Sequence, residues 1–149
     1  MRAVIQRVLK ADVTVDGKTV GEIGKGLLVL IGAQTGDTDA DIKYIADKIV
    51  NLRIFEDENE KMNISALELG LPILAVSQFT LMGDARKGRR PGFTEAGSPD
   101  AARGLFEKAL DELRKYGLPI ETGEYQAHML VSLVNDGPTT ILLDSRKNF

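Results

Sequence analysis

The chain has 149 residues, a net charge of −3 at neutral pH, a single histidine and no cysteine. That length fits one domain spanning 1–149, and the charge argues against binding nucleic acid through overall potential while leaving room for a local basic patch. Without cysteine there are no disulfides, thiolate metal sites or Cys nucleophile, and a zinc site would need His128 plus carboxylates alone, so a zinc site is not expected. No window reaches the roughly 18 apolar residues of a membrane span, and the opening MRAVIQRVLKADVTV lacks a signal-peptide core. The reading is a soluble, cytoplasmic protein with no membrane partner.

In chain order, Ala3 to Val8 is rich in β-formers, and Val13 to Val20 reads as two short strands joined by Asp16-Gly17, a type I′ hairpin signal. Leu27 to Ile31, closed by glycines at 26 and 32, predicts an interior strand. Thr38 opens a helix, with Asp41 three residues later as a variant of the capping box. Ile42, Ile45, Ala46, Ile49 and Leu52 then repeat at helical spacing as one buried stripe. Arg53-Ile54-Phe55 reads as a short extended piece before the polar turn Glu56 to Lys61.

The run Leu71 to Leu81, LPILAVSQFTL, predicts a buried strand ending in polar groups. Alternation places Ser77, Phe79 and Leu81 on one face and Val76, Gln78 and Thr80 on the other. Residues 82 to 97 form a polar loop carrying Arg86, Lys87, Arg89 and Arg90. Ser98 and Pro99 supply the N-cap and first position of a second helix that Gly117 ends, with Ala102, Leu105, Phe106, Ala109, Leu113 and Tyr116 as its buried face. Glu124 to Val134 predicts a long strand, Asn135 to Pro138 a turn that reverses or redirects it, and Thr140 to Leu143 a last strand. Two main helices against seven or eight strands make an α+β domain with a curved, mostly antiparallel sheet or partial barrel.

Two hydroxyls and an amide at the end of a core strand cost roughly 1–3 kcal/mol each if left without partners, which marks Ser77, Gln78 and Thr80 as candidate site residues. A nucleophilic Ser77 or Thr80 needs a base within hydrogen-bond reach, and no His or Lys flanks them. Histidine is the side-chain type most often used as a general base, but strand parity turns His128 away from Ala127, Met129, Val131 and Leu133. Gly137-Pro138 permits close backbone approach to a ligand and fixes its direction; the alternative is an ordinary turn. The basic cluster 86–90 reads either as a solvated loop or as a phosphate contact.

SQFTL at 77–81, the loop with Lys87-Gly88-Arg89-Arg90-Pro91 and Phe93, and Asn135-Asp136-Gly137-Pro138 after Met129 resemble the D-aminoacyl-tRNA deacylase family, as do MRAVIQRV with Arg7 and GEIGKGLLVLIG at 21–32. The resemblance covers essentially the whole chain. It implies a homodimer that hydrolyses the ester joining a D-amino acid, or glycine, to the 3′ end of tRNA without metal or cofactor. Ser77, Gln78, Phe79 and Thr80 would form the catalytic pocket, with backbone N–H groups around Gln78 and Phe79 near the ester. The resemblance also implies that Gly137-Pro138 enters as a cis peptide from the other subunit and excludes L side chains. Arg7 would hold that motif, Met129 would join the substrate-binding set, and the substrate's 2′-hydroxyl would assist the attacking water. Where the family commonly has Val-Thr after Gly-Pro, this chain has Thr139-Thr140.

Two other readings follow from the same residues. One keeps the esterase and makes Thr80 a covalent nucleophile. The other is a non-catalytic RNA-binding module using Arg86, Lys87, Arg89 and Arg90.

Overall fold

Eight strands and three α-helices follow from the chain described here, a computed structural model of residues 1–149. β1 (Arg2–Val15) is the organising strand. Its N-terminal half buries Ala3 and Ile5 and its C-terminal half Ala11 and Val13, the period of two expected when one face meets a core. β2 (Lys18–Ile23) returns antiparallel to it through Asp16 and Gly17, both at positive φ, the conformation a type I′ turn requires.

β3 (Gly26–Gly32) pairs antiparallel with the first half of β1, and β6 (Ile73–Ser77) then lies parallel to β3. β7 (Ile120–Thr122) is parallel to β6, and β8 (Leu130–Asp144) covers the remaining edge of β1, antiparallel along its length. β4 (Phe55–Glu56) and β5 (Met62–Ile64) form a separate small hairpin. The sheet is therefore mixed and strongly curved. Its two ends, β2 and β7, meet without forming a ladder, and Gly21 makes the approach possible: a Cβ there would lie 2.2 Å from the Thr122 carbonyl oxygen.

The continuous apolar runs of β3 and β6 are explained by burial on both faces. Leu27, Val29, Ile31, Ile73 and Ala75 face the helices in a cluster of 21 buried residues. Leu28, Leu74 and Val76 face the concave side with Val8, Ala11, Val13 and Ile23. α1 (Asp39–Asn51) begins at a complete Thr38/Asp41 capping box and buries Ile42, Ile45, Ala46, Ile49 and Val50. α3 (Pro99–Arg114) has Pro99 in its first turn and buries Ala102, Phe106, Ala109, Leu110 and Leu113.

Three expectations are corrected. The strand from Leu71 stops at Ser77, because its partner β3 runs out at Gly32, and the chain turns into a 3₁₀ turn, Phe79–Met82. Gly32 lets that turn close over the sheet, since a Cβ there would sit 2.9 Å from the Gln78 carbonyl oxygen. The strand expected from Glu124 begins only at Leu130; before it, Gln126 is at positive φ and the Ala127 N–H donates to the Glu124 carbonyl, a turn. Lastly, Asn135 to Pro138 does not reverse the chain. β8 continues through it against the same strand, so the segment is a bulge. Unanticipated were β5, β7 and the one-turn α2 (Ala66–Leu69), although Ser65 and Glu68 carry a complete capping box for the latter.

Candidate active site

The end of β6 and the 3₁₀ turn carry Ser77, Gln78, Phe79 and Thr80 to the edge of a cavity of about 750 Å³. In such a turn the first N–H groups have no acceptor within it, so those of Phe79 and Thr80 are left for other partners. The Gln78 N–H is used by the fold, donating to the Ile31 carbonyl at 2.8 Å, while its side-chain Nε2 donates to Thr80 Oγ1 at 2.9 Å. No imidazole or amine is hydrogen-bonded to Thr80, so its hydroxyl lacks the base a covalent nucleophile needs.

Phe93 comes back from the polar loop and meets Phe79 edge to face, ring centres 5.1 Å apart at 61°. The far wall is the turn before β8, with Tyr125, His128 and Met129 lining the cavity. Tyr125 is fixed to α3 twice: its hydroxyl donates to the Pro99 carbonyl at 2.8 Å, and its ring stacks on Phe106. His128 thus lines the same space as Met129, contrary to the parity argument, because residues 124–129 are not extended and do not alternate.

Gly137, Pro138 and Arg7 do not line this cavity. Gly137 and Pro138 are exposed, joined by a cis peptide bond, at the bulge of β8. Arg7 is 6% exposed beneath them, donating from Nε to the Asp136 carbonyl at 2.8 Å and from Nη1 to the Ile54 carbonyl at 2.6 Å. The fold therefore gathers Ser77, Gln78, Phe79, Thr80 and Met129 in one place and Gly137, Pro138 and Arg7 in another.

Compared with known proteins, residues 4–144 match the family described as D-Tyr-tRNA(Tyr) deacylase. The chain belongs to this family. The D-aminoacyl-tRNA deacylase of Thermosipho africanus (strain TCF52B) is 60% identical over 149 residues, covering all of both chains, and that of Clostridioides difficile (strain 630) is 56% identical over the same span. The solved structure of a c-Myc DNA unwinding element binding protein superposes with a TM-score of 0.91 at 42% identity, covering 97% of this chain and 98% of that one. A probable eukaryotic D-amino acid tRNA deacylase shares the fold at 19% identity, TM-score 0.81, covering 95% of this chain and 97% of its own. Family membership makes the chain a deacylase, an enzyme.

Within this deacylase the basic loop is less uniform than its sequence. Arg86 is clamped by Asp84, Nε to Oδ1 at 2.9 Å and Nη2 to Oδ2 at 2.7 Å. Those hydrogen bonds hold the Asp84 carboxyl well below the usual carboxylate range. Lys87, Arg89 and Arg90 are exposed, with no ion pair of their own. None of the four lines the cavity, and no group of three or more His, Asp or Glu side chains is arranged to hold a metal ion. No helix is long and apolar enough to cross a membrane. Sequence reasoning did not single out Tyr125 as a site residue. Its role arises from contacts with Pro99 and Phe106, more than 15 residues away in sequence, and no local signal carries it.

Proposed function

We propose that this deacylase hydrolyses the ester joining a D-amino acid, or glycine, to the 3′ end of tRNA, in the cytoplasm. It works as a homodimer in which the Gly137-Pro138 segment of each subunit completes the cavity of the other. The observation that carries this reading is a separation: the SQFT residues and Gly137-Pro138 are both surface groups, yet Gly137-Pro138 lies outside the cavity of its own chain. β8 supports the same arrangement. It pairs with β1 along one edge only, and Leu130, Val134 and Leu142 on it are 61%, 41% and 57% exposed. A long bare edge with large apolar side chains is a surface that natural proteins cover.

Chemically, water attacks the ester carbonyl and the negative charge grows on the carbonyl oxygen. N–H groups at the start of the 3₁₀ turn, Phe79 and Thr80, are placed to receive it, each supplying about 3 kcal/mol of transition-state stabilisation. The substrate's own 2′-hydroxyl assists the water, so His128 is not required as a base. Rejecting the L ester by about a thousandfold needs about 4 kcal/mol, which a rigid main-chain group against one side chain supplies. Lys87, Arg89 and Arg90, with Arg86, provide the contact with the RNA backbone.

The test is a paired time course on one tRNA charged with D-tyrosine and separately with L-tyrosine, with a chelator present, on protein whose mass is measured by sedimentation. Release of the D ester alone by a dimer, indifferent to chelator, is the expected result. Cleavage of neither ester, or full activity in a monomer, overturns it.

A further inference from the structure

The bulge that carries Gly137-Pro138 is large. In the β1–β8 ladder Gln6 faces Thr140 and Val8 faces Asn135, so one residue of β1, Arg7, stands opposite four of β8, Asp136 to Thr139. Backbone pairing fails over that stretch, and two side chains take its place. On the near side Arg7 Nε donates to the Asp136 carbonyl at 2.8 Å. On the far side the Asn135 carboxamide makes both bonds of a one-residue bridge to Thr139: the Thr139 N–H donates to Asn135 Oδ1 at 2.8 Å, and Asn135 Nδ2 donates to the Thr139 carbonyl at 2.9 Å. A carboxamide has the same donor and acceptor as a peptide group, so Asn135 acts as a short substitute strand.

These bonds leave Gly137 and Pro138 as the only residues of the bulge without an anchor of their own. They are also its exposed members, whereas Thr139 is 4% exposed. The loop between the two anchors is tight: a Cβ on Gly137 would lie 2.3 Å from the Thr139 nitrogen. The direction in which the dipeptide leaves the sheet is therefore set by where Thr139 is held, and Asn135 holds it on both its N–H and its carbonyl.

We propose that Asn135 is a positioning residue for chiral selection, fixing the orientation of Gly137-Pro138 through its paired hydrogen bonds to Thr139. This rests on the reading that the dipeptide screens the substrate in the partner's cavity. Asn135→Asp keeps the acceptor for the Thr139 N–H and loses the donor to its carbonyl; Asn135→Ala loses both.

The experiment measures initial rates on D- and L-tyrosyl-tRNA for the dimeric wild type and both variants, together with amide hydrogen exchange at Thr139. Unfolding of part of a sample lowers both rates by one factor and leaves their ratio unchanged, so the ratio reads orientation and not stability. The expected result is a D-to-L ratio lowered by about tenfold or more in both variants, equivalent to roughly 1.4 kcal/mol of lost discrimination, because Asn135→Asp also sets a carboxylate oxygen against the Thr139 carbonyl, with faster Thr139 exchange in both. A selective wild type with an unchanged ratio in both variants, or an unchanged Thr139 exchange rate, overturns this inference alone. A wild type that cleaves neither ester overturns the functional reading and this inference with it.

Discussion

The Nε of Arg7 lies 2.8 Å from the carbonyl oxygen of Asp136, at a position of β1 that the β8 ladder skips. A buried guanidinium thus replaces a missing backbone bond and, through Nη1, also holds the Ile54 carbonyl that leads into β4. One side chain joins the bulge to the small hairpin. Lysine has a single ammonium and cannot reach both carbonyls in the planar fork that arginine offers. Arg7→Lys is therefore expected to cost about 1–3 kcal/mol, the penalty of one buried acceptor left unmade. It would be read as a lower denaturant midpoint at unchanged m-value; an unchanged midpoint would show that the two carbonyls find other donors.

Thr80 accepts a hydrogen bond from Gln78 and has no base beside it. Thr80→Val should retain substantial D-ester turnover, because the N–H groups of the turn belong to the main chain. A rapid-quench trace of the wild type should show no burst of acyl-enzyme. Loss of both a burst and turnover in the variant would make Thr80 the nucleophile.

Thr139 is buried and its Oγ1 has no hydrogen-bond partner within the chain. Thr139→Val removes a hydroxyl that loses its water on folding and gains nothing in return. The expected outcome is a stabilisation of about 1 kcal/mol, a rise in Tm of roughly 2–4 °C for a domain of this size. A fall in Tm would mean that the hydroxyl is bonded across the dimer.

Acid stability follows from two aspartates. Burial alone would raise the pKa of Asp41, yet hydrogen bonds from the Ser145 hydroxyl and from the Thr38 N–H and hydroxyl bring it down to about 2. Asp144 is lowered in the same way, its burial outweighed by the Arg146 N–H and the Asn148 and Arg2 side chains. Unfolded aspartate titrates near about 3.9, so both groups bind fewer protons when folded. The stabilisation from Asp41 is complete above about pH 4 and is lost as pH falls from there towards 2, and that from Asp144 is likewise lost as pH falls below the unfolded value. Thermal melts of Asp41→Asn should show a lower Tm than wild type at pH 7 and a shallower decline over that acid range. Parallel curves would remove Asp41 as a source of the slope.

Much of this fold is legible where a residue's conformation is dictated locally. Asp16-Gly17 can form little but a type I′ turn, Thr38 and Asp41 cap a helix wherever they precede an amphipathic stripe, and the unbroken apolarity of β3 already implies burial on both faces. The errors have a common cause. Alternation predicts extended chain past Ser77 and through Glu124–Met129, where the chain leaves the extended state because of partners distant in sequence: Gly32 under the 3₁₀ turn, Pro99 and Phe106 around Tyr125. The same limit governs the site. Ser77, Gln78 and Thr80 are visible as polar groups ending an apolar run, with Phe79 among them, while the bonds from Asn135 to Thr139 join residues whose pairing depends on a bulge that the sequence shows only as a turn that reverses or redirects the strand.

The meeting of β2 with β7 gives the barrel an unstitched side. Gly21 brings the Thr122 carbonyl within contact, but no ladder bonds cross there, and β7 is only three residues long. The wall carrying Tyr125, His128 and Met129 hangs from the end of β7. With no ladder to break between β2 and β7, this side is expected to open at a lower free energy than the doubly buried β3 and β6. The amides of β7 should exchange with solvent well ahead of those of β3 and β6.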